Sequence, residues 1–188
     1  MIALPNYADI NGRPMKKLQI EQYLRKLQLN DFEPAVNLTT LTKLQDAHLK
    51  YIPYENFDSL NGKITSLKRQ DMFNKVIMHN RGGICFELNG LYNWLLESLG
   101  FEVTSYAARF IDKMETYQLR RHRVMCVALG EKRYLTDVGV NSESPRVPLE
   151  ITEGLIQSDG ISQYKFTRSE FWGWLLWQKE CGKIWKRL

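Results

Sequence analysis

Three residues of this 188-residue chain have the types needed to attack a carbonyl group: Cys85, His122 and Asp137. Cys85 lies in the run Asn80-Arg81-Gly82-Gly83-Ile84-Cys85-Phe86-Glu87-Leu88-Asn89, where a Gly-Gly turn delivers a thiol to the start of an apolar, helix-patterned segment. Unpaired backbone N–H groups and the positive end of the helix dipole favour an anion there, and therefore the thiolate over the thiol. The alternative is a buried cysteine packing as a small hydrophobe. A thiolate acting on a carbonyl works best beside an imidazole that takes and returns a proton, with a carboxylate holding the imidazole in one tautomer.

The chain offers three histidines. His48 falls on a helix face and His79 at a helix end, positions suited to structural or surface roles. His122 opens a strand, and the hairpin partner of that strand carries Asp137 in Leu135-Thr136-Asp137-Val138-Gly139. With Gly130-Glu131 as the hairpin loop, His122 faces Gly139 and Asp137 lies two positions along, on the same side of the sheet. Such diagonal neighbours are about 7 to 8 Å apart, a gap that an Asp and a His bridge. A bulge or an odd loop would break this parity. Hairpin geometry alone leaves open a solvent-facing His122 and an Asp137 that merely caps a turn.

The elements that would position these groups are legible as two halves. Leu18, Tyr23, Leu24 and Leu27 repeat at helical spacing, as do Leu41, Leu44, Ala47, His48 and Tyr51, with Thr42 and Gln45 placed as a capping box and Pro53 as a stop. Met72, Phe73, Val76 and Ile77 suggest a third helix. Cys85, Leu88, Tyr92, Leu95, Leu96 and Leu99 suggest a fourth, closed by Gly100. Beyond Gly100 the pattern is β: Phe101 to Arg109, His122 to Leu129, Lys132 to Val138, Tyr164 to Phe166 and Phe171 to Trp177. Asn141 to Pro148 reads as a loop. The expected architecture is α+β, with a helical bundle over 1–84 and the nucleophile helix plus a small antiparallel sheet or barrel over 85–188.

Composition narrows the function classes. An apolar content of 44% with 25% charged residues describes a soluble globular chain. Neither a leader at Met1–Asn6 nor a membrane-spanning stretch is expected. Cys85, Cys126 and Cys181 are an odd set without C-x-x-C spacing, so no disulfide framework or metal site is expected and a reducing cytoplasm fits best. The basic residues behind the net charge of +5 are spread among Asp and Glu without a nucleic-acid motif and read as a solvated surface, a field that would also welcome a phosphate-bearing small cofactor.

The sequence resembles the arylamine N-acetyltransferases. Ile52-Pro53-Tyr54-Glu55-Asn56 is similar to that family's P-F-E-N block, Arg81 to Asn89 to its R-G-G-x-C-F-E-x-N nucleophile motif, and Leu99-Gly100-Phe101, Arg121-His122 and Asp137-Val138-Gly139 follow in family order. The resemblance implies a Cys85-His122-Asp137 triad on a cysteine-protease-like core, with an N-terminal helical bundle, a β-barrel and a third α/β lid domain. Family members usually continue well beyond Trp185-Lys186-Arg187-Leu188, so the lid is expected to be absent here. Arg121 stands where a Thr usually precedes the His, and Val140-Asn141 where the family has Phe-Gly, a difference that bears on the acceptor pocket.

The reaction implied is ping-pong transfer from acetyl-coenzyme A, as co-substrate and without a metal, to an arylamine or hydrazine through an acetyl-cysteine. Arg81 is expected to pair with Glu55 and tie the bundle to the nucleophile loop. Two rival readings are a catalytically impaired chain that binds small aromatics or self-associates through Phe171, Trp172, Trp174, Trp177 and Trp185, and a transglutaminase-like thiol hydrolase. Aromatic crowding of that kind is ordinarily core.

Overall fold

The computed structural model describes residues 2–3, 13–111, 119–140 and 144–187. Asn141 and most of Met1–Asn6 lie outside the described residues. Helix α1 spans Lys17–Lys26 and α2 Leu38–Tyr51; the short helices α3 (Phe57–Leu60) and α4 (Arg69–Phe73) follow, α4 running into a π-helical turn over Asn74–Met78. Helix α5, Cys85–Ser98, is the central element: every residue from Glu87 to Leu96 is buried, including the polar Glu87, Asn89 and Asn93, each of which makes hydrogen bonds. It ends in a Schellman motif. Gly100 takes φ +92°, its N–H donates to the Glu97 carbonyl, and the Phe101 N–H donates to the Leu96 carbonyl.

Some helical expectations are corrected. Leu18 is exposed, not core. The cap of α2 is Asn37, whose side chain accepts from the Thr40 N–H at 2.8 Å. Gln45 instead lies inside the helix and fully buried, with Thr136 Oγ1 donating to its Oε1 and its Nε2 donating to the Pro145 carbonyl. The Thr-x-x-Gln spacing imitates a capping box, but here it serves a tertiary contact.

Among the described residues, nine strands form two sheets. The first has the order β1 (Ile2–Ala3), β2 (Glu102–Ala108), β3 (His122–Leu129), β4 (Lys132–Thr136), β5 (Leu149–Glu150), antiparallel throughout. The β3–β4 hairpin turns through Gly130-Glu131, with Leu129 opposite Lys132 and Met125 opposite Thr136. The second sheet has the order β6 (Gln157–Ser158), β7 (Ser162–Ser169), β8 (Gly173–Glu180), β9 (Lys186–Arg187). Among the described residues the expected barrel does not close. Where β5 and β6 would need a ladder, the Gln157 side chain substitutes for one: its Oε1 accepts from the Glu150 N–H at 2.7 Å and its Nε2 donates to the Glu150 carbonyl at 2.9 Å.

The main core joins both halves of the chain. Leu41, Leu44, Val76, Leu88, Leu91 and Leu95 pack with Met125, Val127 and Tyr134 of the first sheet. A smaller cluster, Val124, Leu135, Leu149, Tyr164 and Phe166, lies between the two sheets. Trp94 packs in the main core, but the four C-terminal tryptophans are not core in the ordinary sense. Trp172, Trp174, Trp177 and Trp185 are half-buried, each with a cation over its ring: Arg109, Arg168, Arg187 and Lys165, at 5.3, 4.4, 5.9 and 4.5 Å. Phe171 is exposed. Among the described residues no helix is long and apolar enough to cross a membrane.

Candidate active site

Cys85 is the first residue of α5, after Ile84 in extended backbone. The Ile84 N–H donates to Glu87 Oε2 at 2.9 Å, and the Ile84 carbonyl accepts from both the Glu87 and Leu88 N–H groups. The helix therefore begins at the thiol, in the turn whose own N–H groups lack intrahelical acceptors. Upstream, Tyr54 pairs with Gly83 in a parallel bridge. A Cβ on Gly82 would lie 2.0 Å from the Pro53 carbonyl oxygen, so only glycine fits that approach.

A charge network braces the turn from behind. Arg81 Nε donates to Glu55 Oε1 at 2.7 Å and Nη2 to Asp58 Oδ1 at 3.2 Å. The expected Arg81–Glu55 pair is formed, and Asp58 extends it. Lys75 Nζ lies 2.9 Å from both Asp58 Oδ2 and Glu87 Oε1, carrying the network into α5. Asp58 is held below the usual carboxylate range by its hydrogen bonds to Lys75 and Arg81.

His122 opens β3 and is 3% exposed. Its Nε2 lies 2.6 Å from Asp137 Oδ2, the diagonal pairing expected from hairpin parity. The Cys85 thiol sits 3.8 Å from the carbonyl oxygen of Arg121, immediately before His122. Burial disfavours the imidazolium, but the Asp137 carboxylate and then the Cys85 side chain outweigh it and push the His122 pKa up to about 10. The chain thus brings all three expected residues together: one from a helix start, one from a strand start, one from the segment after β4. His48 is instead buried among Tyr23 and Tyr92, and His79 lies at the end of the π-helical turn.

Close packing holds the triad's third arm. A Cβ on Gly139 would lie 2.8 Å from Cys85 Cα and 2.7 Å from Asn89 Nδ2, so Asp137-Val138-Gly139 can pass the nucleophile only with glycine at its end. In front of His122 and Asp137 opens a pocket of about 360 Å³, walled by Phe110, Phe166, Trp172 and Trp174 with Arg109 and Arg120 also among its lining. Phe110 lies with its ring 5.0 Å from that of His122. The pocket's walls are largely aromatic and aliphatic, with His122 and Asp137 among the few polar groups.

An arylamine N-acetyltransferase of Mycolicibacterium smegmatis is 35% identical over 152 residues, covering 78% of this chain and 55% of that protein. A profile of the N-acetyltransferase family matches residues 37–187. The chain belongs to the arylamine N-acetyltransferase family. Among solved structures, the M. smegmatis arylamine N-acetyltransferase superposes with a TM-score of 0.82 at 32% identity, covering 90% of this chain and 63% of that one. The Salmonella typhimurium arylamine N-acetyltransferase superposes with a TM-score of 0.84 at 26% identity, covering 93% and 62%. A relative of a different name, proansamycin X synthase of Amycolatopsis mediterranei, is 32% identical over 83% of this chain and 61% of its own length. The chain spans about half the length of the curated arylamine N-acetyltransferases it matches, 55% and 47% for two of them.

Two departures from the family pattern acquire a structural setting. Arg121 meets the thiol through its backbone carbonyl, a contact any residue type can supply. Val140 lines the aromatic pocket, where a larger side chain would take up space. Among the described residues no cluster of His, Cys, Asp or Glu is arranged to hold a metal ion.

Sequence reasoning missed two neighbours of the triad. Phe110 carried no signal, lying just past a strand end in chain that packs only through tertiary contact. Asn89 had a signal, its position one turn beyond Cys85 on the same helix face.

Proposed function

We propose that this chain transfers an acetyl group from acetyl-coenzyme A to an arylamine or hydrazine, with Cys85 as nucleophile, His122 as proton carrier and Asp137 as its anchor. The observation that carries this reading is His122, buried between a carboxylate and a thiol beside an open aromatic pocket.

In the first half-reaction the Cys85 thiolate, paired with the His122 imidazolium, adds to the thioester carbonyl. The C–S bond to coenzyme A breaks, and the departing thiolate takes the imidazolium proton, leaving acetyl-Cys85 and neutral His122. The amine nitrogen then adds to the acetyl carbonyl and gives its proton to His122 as the Cys85 thiolate departs. The two thioesters are close in energy, so catalysis lies in supplying the thiolate and positioning the carbonyl. First-turn N–H groups of α5 are suited to the developing oxyanion. The aromatic walls suit a flat amine. A reducing, cytoplasmic setting is part of this reading, suggested by the odd cysteine set without C-x-x-C spacing.

Intact-mass analysis after incubation with acetyl-coenzyme A tests the proposal. An adduct of one acetyl group that is lost in Cys85→Ser and discharged by an arylamine supports it. No adduct, while iodoacetamide still alkylates Cys85, would overturn it; discharge by water as fast as by amine would favour a hydrolase.

A further inference from the structure

Asp137 has two oxygens, and only one of them faces His122. Oδ2 lies 2.6 Å from His122 Nε2. Oδ1 accepts two hydrogen bonds at 2.8 Å, one from Asn89 Nδ2 and one from the Gly139 N–H. Asn89 is fully buried, and both ends of its amide are occupied. Its Oδ1 accepts from the Val138 N–H at 2.9 Å, and its Nδ2 also donates to the Arg123 carbonyl. One side chain on the nucleophile helix therefore grips the start of β3 and the segment that carries the carboxylate.

We propose that Asn89 is a positioning residue of this site: it fixes the Asp137 carboxylate so that Oδ2 holds the His122 ring in line for Cys85. The proposal rests on the acyl-transfer reading for its consequence in turnover, but not for its consequence on thiol reactivity. Asn89 sits four residues after Cys85 in α5, so the same helical turn that presents the nucleophile sets its partner's orientation. An amide suits the position because it donates and accepts at once. A carboxylate there would keep the acceptor for Val138, lose both donors, and place a second negative charge against Asp137.

The pH dependence of Cys85 alkylation by iodoacetamide reads the orientation directly, because the thiolate is the form alkylated and the imidazole beside it is the group that Asp137 anchors. Asn89→Ala is expected to move the acid limb of that profile up by about one pH unit, and the isosteric Asn89→Asp to move it at least as far. In acetyl transfer, both should lower kcat by about tenfold or more with little change in KM for the amine. In an Asp137→Asn background, Asn89→Ala should bring no further shift.

A purely structural Asn89 would lower the melting temperature and leave the alkylation profile of the folded variants where it was, which would overturn the proposal. A shift in the double variant as large as in the single one would overturn it too. Should Asn89→Ala fail to fold, Asn89→Asp decides by the same profile. If the unaltered protein transfers no acetyl group, the functional reading fails, while the alkylation profiles still decide the role of Asn89.

Discussion

His122 Nε2 and Asp137 Oδ2 stand 2.6 Å apart, joining two residues that a two-residue hairpin loop places diagonally on one face of the sheet. His122 is held protonated far above its ordinary range, despite burial that opposes the charge, because the Asp137 carboxylate and the Cys85 side chain favour it. Replacing Asp137 by Asn leaves the shape and removes the charge. Acyl transfer should fall by about 10³- to 10⁴-fold, measured as kcat with saturating amine. The pairing also has a pH signature in stability. A histidine with a folded pKa near 10 and an unfolded one near 6.5 contributes stability that is fully present below pH 6.5 and lost as pH rises through about 10. The stability deficit of Asp137→Asn should therefore be largest near pH 6 and shrink toward pH 10, which urea denaturation across that range would measure.

Glu87 does two things two residues beyond the nucleophile: it closes the start of α5 by accepting the Ile84 N–H, and it pairs with Lys75. Its side chain is 3% exposed and that of Lys75 16%, so the pair is scarcely screened by solvent. Glu87→Ala strips both roles and leaves Lys75 with Asp58 alone. A loss of about 2–4 kcal/mol in unfolding free energy is expected, with slower Cys85 alkylation as the helix start loosens. The coupling of Arg81 with Glu55 is tested beside it: alanine at both should cost less melting temperature than the two single losses added together.

Gly139 has no room for a side chain, since a Cβ would fall 2.8 Å from Cys85 Cα, a backbone atom. Gly139→Ala must push the Asp137 segment away from the nucleophile helix or tilt the helix start. Either movement lengthens the reach from Asp137 to His122. A modest stability loss of about 1–3 kcal/mol is expected together with a disproportionate loss of acyl transfer. The same substitution at Gly130, where the turn has φ +63° and nothing lies within 4 Å, should cost stability through backbone strain and leave the reaction rate unchanged.

What was legible in the sequence was local. The start of α5 followed from Gly82-Gly83 before an apolar 3.6-residue period and its end from Gly100, and the hairpin register followed from Gly130 because the loop length alone sets the pairing. His122 and Asp137 could be joined on that register before any side chain was placed. Gln45 and Phe110 were not legible, because their partners come from other elements: Gln45 meets Thr136 and Pro145, and Phe110, just past β2, packs its ring beside that of His122 on β3. That the barrel does not close among the described residues was equally hidden: between β5 and β6, strands of two residues each, the contact is one glutamine side chain on the Glu150 backbone. Trp172, Trp174, Trp177 and Trp185 read as core by type, whereas their cation partners let them remain half-exposed.

His48 carries a different pH dependence from His122, and of the opposite sign. It is fully buried in α2 between the rings of Tyr23 and Tyr92, whose centroids lie 6.0 and 5.3 Å away. Burial lowers its pKa from 6.5 to about 3, and among the described residues neither ring nitrogen has a hydrogen-bond partner. Between those values the unfolded chain binds a proton that the folded chain refuses. Stability attributable to His48 is thus intact above pH 6.5 and falls as pH drops through that range toward 3, by up to about 1.4 kcal/mol for each pH unit crossed. His48→Phe keeps a ring among the two tyrosines and removes the titrating group. Its unfolding free energy should decline less between pH 6 and pH 4 than that of the unaltered protein, measured by urea denaturation at each pH. Parallel decline in the two proteins would mean that carboxylates, and not His48, govern acid unfolding.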